Sequence, residues 1–121
     1  MNVYLDVTYT ILLVDSVLDL KVGDVVNNES LHNSCFITAF NPNGNEVDIQ
    51  TNWEFNNNLM DYILNNNFKY YHGYGHLNEW VEYSFLIKDI SIIESLRLSR
   101  EFKQLAFVYI NINGVVELHY T

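Results

Sequence analysis

The chain has 121 residues, 49% of them apolar and 15% aromatic, with one cysteine and a formal charge of −9. That is long enough for one domain with its own core and no disulfide or metal staple, and too apolar for a disordered segment. The charge argues against a nucleic-acid surface, which needs clustered Lys and Arg to displace counterions, and against docking on an anionic membrane; it fits a solvated acidic surface or a basic partner.

The N-terminal run Met1-Asn2-Val3-Tyr4-Leu5-Asp6 has no basic region before an apolar stretch. No signal peptide is expected, no segment reaches the length of a membrane span, and the expected location is the cytoplasm. Residues 8–14 and 17–22 read as two short strands of a hairpin, separated by Asp15-Ser16 and ending at Gly23-Asp24. Residues 28–33 have room for a short helix. A run of β-branched and aromatic side chains over 35–40 reads as a buried strand. Its lone Cys35 has no Lys, Arg or His beside it, so it reads as a small core hydrophobe rather than a nucleophile, in keeping with a reducing compartment.

That strand stops at Asn41-Pro42-Asn43-Gly44, which suits a type I turn with Asn first, Pro second and Gly fourth. Thr51 with Glu54 fits a capping box, and Asp48 is a rival helix start. Phe55, Leu59 and Ile63, with Met60 and Leu64 beside them, mark an amphipathic helix. It ends in Asn65-Asn66-Asn67, where Asn suits a left-handed cap. This run and Asn56-Asn57-Asn58 look like compositional bias and are assigned no function.

Residues 68–74 and 81–88 are the next strands, joined by a loop through Gly73, Gly75 and Asn78. Ser91 with Glu94 opens a second helix, expected to bury Ile92, Leu96 and Phe102 or their neighbours. Residues 105–111 and 115–120 form a hairpin over Asn113-Gly114, the strongest turn signal in the chain. The expected fold is therefore α+β: a mainly antiparallel sheet with two helices on one face, in the ferredoxin-like β-α-β-β-α-β order, with an N-terminal hairpin and an extra C-terminal strand.

No assembled reaction motif stands out. Of the four histidines, His32, His72, His76 and His119, only His72 and His76 form a local pair, with Glu79 and Glu82 near in sequence. A metal there would need further ligands at known spacings, and the plainer reading is a surface pair, so no metal or cofactor is assigned. Gly73-Tyr74-Gly75 lacks the third glycine and the strand-to-helix setting of a dinucleotide loop. Glu79 and Glu82 suit acid–base work only if partly buried. The aromatic group Tyr70, Tyr71, Tyr74, Trp80, Tyr83 and Phe85 packs the core or, facing outward, offers a binding surface.

Several of these residues fall into an ordered series that resembles the bacterial domain of unknown function family 3293. Tyr9-Thr10 is similar to its N-terminal strand motif, and Phe36-Ile37-Thr38-Ala39-Phe40-Asn41-Pro42 to its Ile-Thr-Ala-aromatic-Asn-Pro signature. Asn52 and Leu59 match the helix that follows. Trp80-Val81-Glu82-Tyr83-Ser84-Phe85 resembles its Trp-x-Glu-x-Ser segment, with Tyr83 where Pro is common. Phe102-Lys103-Gln104-Leu105-Ala106 resembles its aromatic-Gly-Gln-x-Ala segment, with Lys103 in place of Gly, and Gly44 stands where Ser is frequent.

The resemblance implies a small single-domain bacterial protein and no established reaction. It marks Thr38, Asn41, Asn52, Glu82, Ser84 and Gln104 as polar positions that either bind a ligand or satisfy backbone groups around the Asn-Pro turn. The leading expectation is a non-catalytic regulatory module that binds a protein partner or small ligand. One alternative is a small enzyme with Glu82 as general base and Asn41, Asn52 and Gln104 positioning substrate. Another is an acidic, phage-type inhibitor that mimics nucleic acid.

Overall fold

The structure, a computed structural model, describes residues 3–121. A 3-10 turn at Val3–Leu5 precedes the hairpin of β1 (Thr8–Leu12) and β2 (Val17–Leu20). Then come β3 (Ser34–Ile37), helix α1 (Ile49–Asn65), β4 (Tyr70–Leu77), β5 (Trp80–Ile87), helix α2 (Ile92–Glu101), β6 (Ala106–Ile110) and β7 (Val116–Tyr120). The strands form one antiparallel sheet in the order β2-β1-β4-β5-β3-β6-β7. The architecture is α+β, with two helices and a seven-stranded antiparallel sheet.

Both sheet faces are buried. On one, Leu59 and Ile63 of α1 and Leu98 of α2 pack against Cys35, Ile37 and Phe85. Burial pushes the Cys35 thiol up to about 12, which leaves it un-ionised at neutral pH. On the other face, Tyr9, Ile11, Phe36, Leu86, Val108 and Val116 form a second core without helices. That core exists because the sheet curls. Three residues beyond β2, the Gly23 N–H donates to the Val116 carbonyl at 2.8 Å, and Val26 donates to Gly114 at 2.8 Å. Three residues reach about 11 Å at most, whereas the edges of a flat seven-stranded sheet lie about 29 Å apart. The segment after β2 is a strap that ties one edge of the sheet to the other.

The helix starts follow local chemistry. Asp48, not Thr51, caps α1: its carboxylate accepts the Thr51 N–H at 2.8 Å. Ser91 caps α2 by accepting the Glu94 N–H at 3.0 Å. Leu96 and Phe102 pack half-buried against the core as expected, together with the buried Ser95, Leu98 and Ser99, whereas Ile92 lies at the surface. Asn67 takes the left-handed conformation after α1, at φ 59°.

Two expectations about β structure need correction. Gly73 and Gly75 do not lie in a loop; they are inside β4, and the turn to β5 is Asn78-Glu79, between paired Leu77 and Trp80. The strand expected over 35–40 leaves the ladder after Ile37 because side chains take over its backbone donors. Asn56 Oδ1 accepts the Ala39 N–H at 2.8 Å, and Thr38 Oγ1 accepts the Phe40 N–H at 3.1 Å.

Candidate functional site

The Asn-Pro turn is built differently from a type I turn. The Gly44 N–H does donate to the Asn41 carbonyl at 3.0 Å. Asn43, however, sits at φ 58°, ψ 21°, and Asn41 itself is left-handed at φ 50°, ψ 63°. A residue before proline avoids helical conformations, so Asn41 is held in a costly state by its surroundings.

Asn52, buried one turn into α1, does the holding. The Asn41 N–H can only donate, so it fixes Asn52 Oδ1 as its acceptor, at 2.8 Å. The other end of that amide, Nδ2, then donates to Asn41 Oδ1 at 3.0 Å, which also accepts the Val47 N–H at 3.2 Å. Asn41 Nδ2 is thereby turned toward Glu82 and donates to its Oε2 at 2.9 Å. One backbone N–H thus orients three side chains in series.

Glu82 stands on the inner face of β5, beside a pocket of about 490 Å³ at the end of the curled sheet. Tyr9, Phe36, Leu77, Trp80, Phe107 and Leu118 are among its walls, and Tyr4 of the N-terminal turn borders it. Gly75 keeps a wall thin: a Cβ there would meet Val7, Tyr9 and Trp80 at 3.5–3.8 Å, ordinary contact distances. Thr38, Asn41, Ser84 and Gln104 also line the pocket, so five of the six candidate polar residues meet there. Asn52 lies behind Asn41 and faces an adjoining cleft, which shares Asn41 and Glu82 with the pocket and carries Glu46, Asp48 and Glu79.

Most of these polar groups are engaged by the protein itself. The Thr38 hydroxyl donates to the Tyr83 carbonyl at 2.6 Å, and Ser84 donates to the Glu82 carbonyl at 3.1 Å. Gln104 Nε2 donates to the carbonyls of Phe40 and Phe102, at 3.1 and 3.3 Å. Tyr9 donates to the Tyr4 carbonyl at 3.2 Å. Glu82 differs: among the described residues, Oε1 accepts no hydrogen bond and no Lys, Arg or His forms an ion pair with the carboxylate.

Burial raises the Glu82 carboxyl above the ordinary Glu value, and the Asn41 hydrogen bond works against that rise. The folded state therefore holds this proton more tightly than the unfolded state does. The associated stabilisation is present in full below the ordinary carboxyl range and is lost as pH rises through the raised folded value. Glu82→Gln keeps an oxygen for Asn41 and cannot ionise. It is expected to melt higher than the wild type at about pH 8, with the advantage shrinking at about pH 4. An advantage equal at the two pH values in thermal melts would refute this account.

The remaining candidates lie elsewhere. His72 and His76 share the helix-side face of β4, opposite to that of Glu82. His76 Nε2 is 3.0 Å from Thr10 Oγ1, which donates to Asp19 at 2.6 Å. His32 Nε2 lies 2.7 Å from the Val26 carbonyl, and His119 stacks on Phe107 with ring centres 5.4 Å apart. Among the described residues, no three His, Cys, Asp or Glu side chains gather as a metal site requires. The aromatic group is divided by the strand alternation. Trp80 borders the pocket, Phe85 is buried under the helices, and Tyr83 is exposed against Trp53 at 4.9 Å between ring centres. No helix among the described residues is long and apolar enough to cross a membrane.

Asn56 was missed by the sequence reading, which gave its run no role. Besides accepting from Ala39, its Nδ2 donates to the Tyr83 carbonyl at 2.9 Å, clamping β5 to the segment after β3. The signal was available: Asn52, Asn56, Leu59 and Ile63 form one stripe of α1, and two amides on an apolar stripe call for buried partners.

No curated protein and no solved structure matches the chain. The family model described as "Protein of unknown function (DUF3293)" matches residues 37–107, a segment that contains Thr38, Asn41, Asn52, Glu82, Ser84 and Gln104. That segment is more than half of the sequence, and the chain belongs to this family.

Proposed function

We propose that this protein is a non-catalytic module that holds a small, largely apolar ligand in the inner pocket. The observation that carries the reading is the pocket itself: about 490 Å³, walled by aromatic and aliphatic side chains, with few polar groups converging on it. Ligand pockets have this size and this composition. A binding role fits the polar groups better than a reaction does. Thr38, Ser84 and Gln104 donate to carbonyls, and Asn41 and Asn52 hold each other, so these side chains build the wall rather than await a substrate.

The enzyme reading keeps one supporting observation, the raised carboxyl of Glu82, which suits a general base. Glu79, the other candidate carboxylate, lies in the adjoining cleft. Nothing favours the nucleic-acid mimic. The regulatory role follows from binding only if the ligand changes what the protein docks on. The order β4-β5-β3-β6, with a helix in each crossover, supports a ferredoxin-like kinship of the central strands.

A neutral probe tests the pocket. 2-Phenylethanol titrated into isotope-labelled protein is expected to bind in the millimolar range or tighter. Its amide shifts should gather at Tyr9, Phe36, Gly75, Glu82 and Leu118. Gly75→Leu, which fills the pocket, should weaken binding at least about tenfold, equivalent to 1.4 kcal/mol. Shifts scattered over the surface, or binding indifferent to the Gly75 change, would overturn the proposal.

A further inference from the structure

Several polar side chains of the pocket already direct their donors to the protein's own backbone. The hydroxyls of Thr38, Ser84 and Tyr9 and the Gln104 amide nitrogen are donated to backbone carbonyls. Two carbonyls at Nε2 also fix the Gln104 amide orientation, so its Oε1 is left as an acceptor, and among the described residues it receives no hydrogen bond. The strongest acceptor is Glu82 Oε1. A half-buried carboxylate that has, among the described residues, one amide hydrogen bond and no cation is under-compensated, and a ligand that supplies charge and donors removes the deficit.

The surroundings favour a compact cation. Among the described residues Oε1 accepts no hydrogen bond and Oε2 already accepts one from Asn41, so an ammonium, which needs a single strong acceptor, suits this carboxylate. Glu82 is near enough to Tyr4 and Tyr9 that, after burial, its charge helps hold both phenols un-ionised, and both side chains line the pocket that it borders. The adjoining cleft brings Glu46, Asp48 and Glu79 to the same wall, so the approach is negative, and the whole chain carries −9.

Resting on the reading of the pocket as a ligand site, we infer that its ligand is a free small molecule with an aromatic or branched apolar body and a protonated amine that binds Glu82. The amine docks on Oε1 while the body lies against Tyr9, Phe36 and Leu118. A volume of about 490 Å³ is several times that of a butyl-ammonium stem, so a lysine side chain of a partner protein would leave most of it empty.

The test compares phenethylammonium with 2-phenylethanol, which differ only in the end group. At about pH 8, wild type is expected to bind the ammonium at least about tenfold more tightly. Glu82→Gln should abolish that preference, bringing the two affinities to within about twofold of each other. The preference in wild type should also fall as the pH is lowered and Glu82 protonates, a readout that needs no variant. An alcohol that binds as tightly as the ammonium overturns this inference and leaves the ligand pocket standing; failure of both probes overturns the two together. An Nα-acetyl-lysine amide that matches phenethylammonium overturns the free-molecule assignment in favour of a lysine side chain.

Discussion

Asn56→Ala is expected to destabilise the protein by about 3 kcal/mol, more than most single replacements of a polar residue. The Asn56 side chain is buried and bridges two elements that the sheet ladder does not join at that point. Its loss strands the Ala39 N–H, in a residue 1% exposed, and takes one of two side-chain donors from the Tyr83 carbonyl, which keeps the Thr38 hydroxyl. An unsatisfied buried donor alone costs about 1–3 kcal/mol, and the vacated volume adds to it. Asn57→Ala and Asn58→Ala, on the exposed side of the same run, should stay within about 0.5 kcal/mol. Chemical denaturation of the three variants checks this, and equal midpoints would refute the clamp. Asn56→Asp keeps the acceptor for Ala39 but loses the donor to Tyr83, and should fall between Ala and wild type only at low pH.

Gly73→Ala should have a comparable effect for a steric reason. A Cβ at this position collides with the carbonyl oxygen of Thr10 and lies 2.9 Å from Phe36 Cε2. The oxygen belongs to β1, and Gly73 pairs with Ile11, so relief requires β1 to move off β4. The Phe36 ring is in turn packed edge-on against Tyr9, with centres 5.3 Å apart. Overpacking of this kind costs about 1–3 kcal/mol, and a clash with backbone belongs at the upper end. Gly75→Ala, two residues on, meets only ordinary contacts and should cost less than about 0.5 kcal/mol. The informative measurement is amide exchange: β1 and β2 should lose protection in the Gly73 variant and keep it in the Gly75 variant. Equal protection in both would refute the steric account.

These two residues also mark where the sequence was legible and where it was not. The hairpin over Asn113-Gly114, the Ser91 cap and the amphipathic stripe of α1 were readable because each is local, with its cause within a few residues. Gly73 and Gly75 read as loop punctuation, since a strand glycine makes sense only once the backbone or ring that approaches it is known. Asn56 read as bias because its partners, Ala39 and Tyr83, lie far from it in sequence. The Asn41-Pro42 turn was visible as a turn, but the left-handed state of Asn41 depends on Asn52 across the turn. The candidate polar residues came from a family pattern, and spacing alone did not show that Glu82 would be left with a free oxygen.

The strap after β2 has a consequence for how such a site is able to diversify. Thr38, Asn41, Asn52, Glu82, Ser84 and Gln104 all lie within residues 37–107, where the family match falls. Tyr9, Val7 and Leu118, which close the apolar side, come from the two ends of the chain. The strap fastens those ends together through Gly23, Val26, Gly114 and Val116. Substitutions at Tyr9, Val7 or Leu118 therefore change the shape of the chamber without disturbing the orientation of Glu82. If Glu82 anchors a ligand as proposed, anchor and selectivity are separately inheritable, and one charged grip is open to being refitted to ligands of different outline.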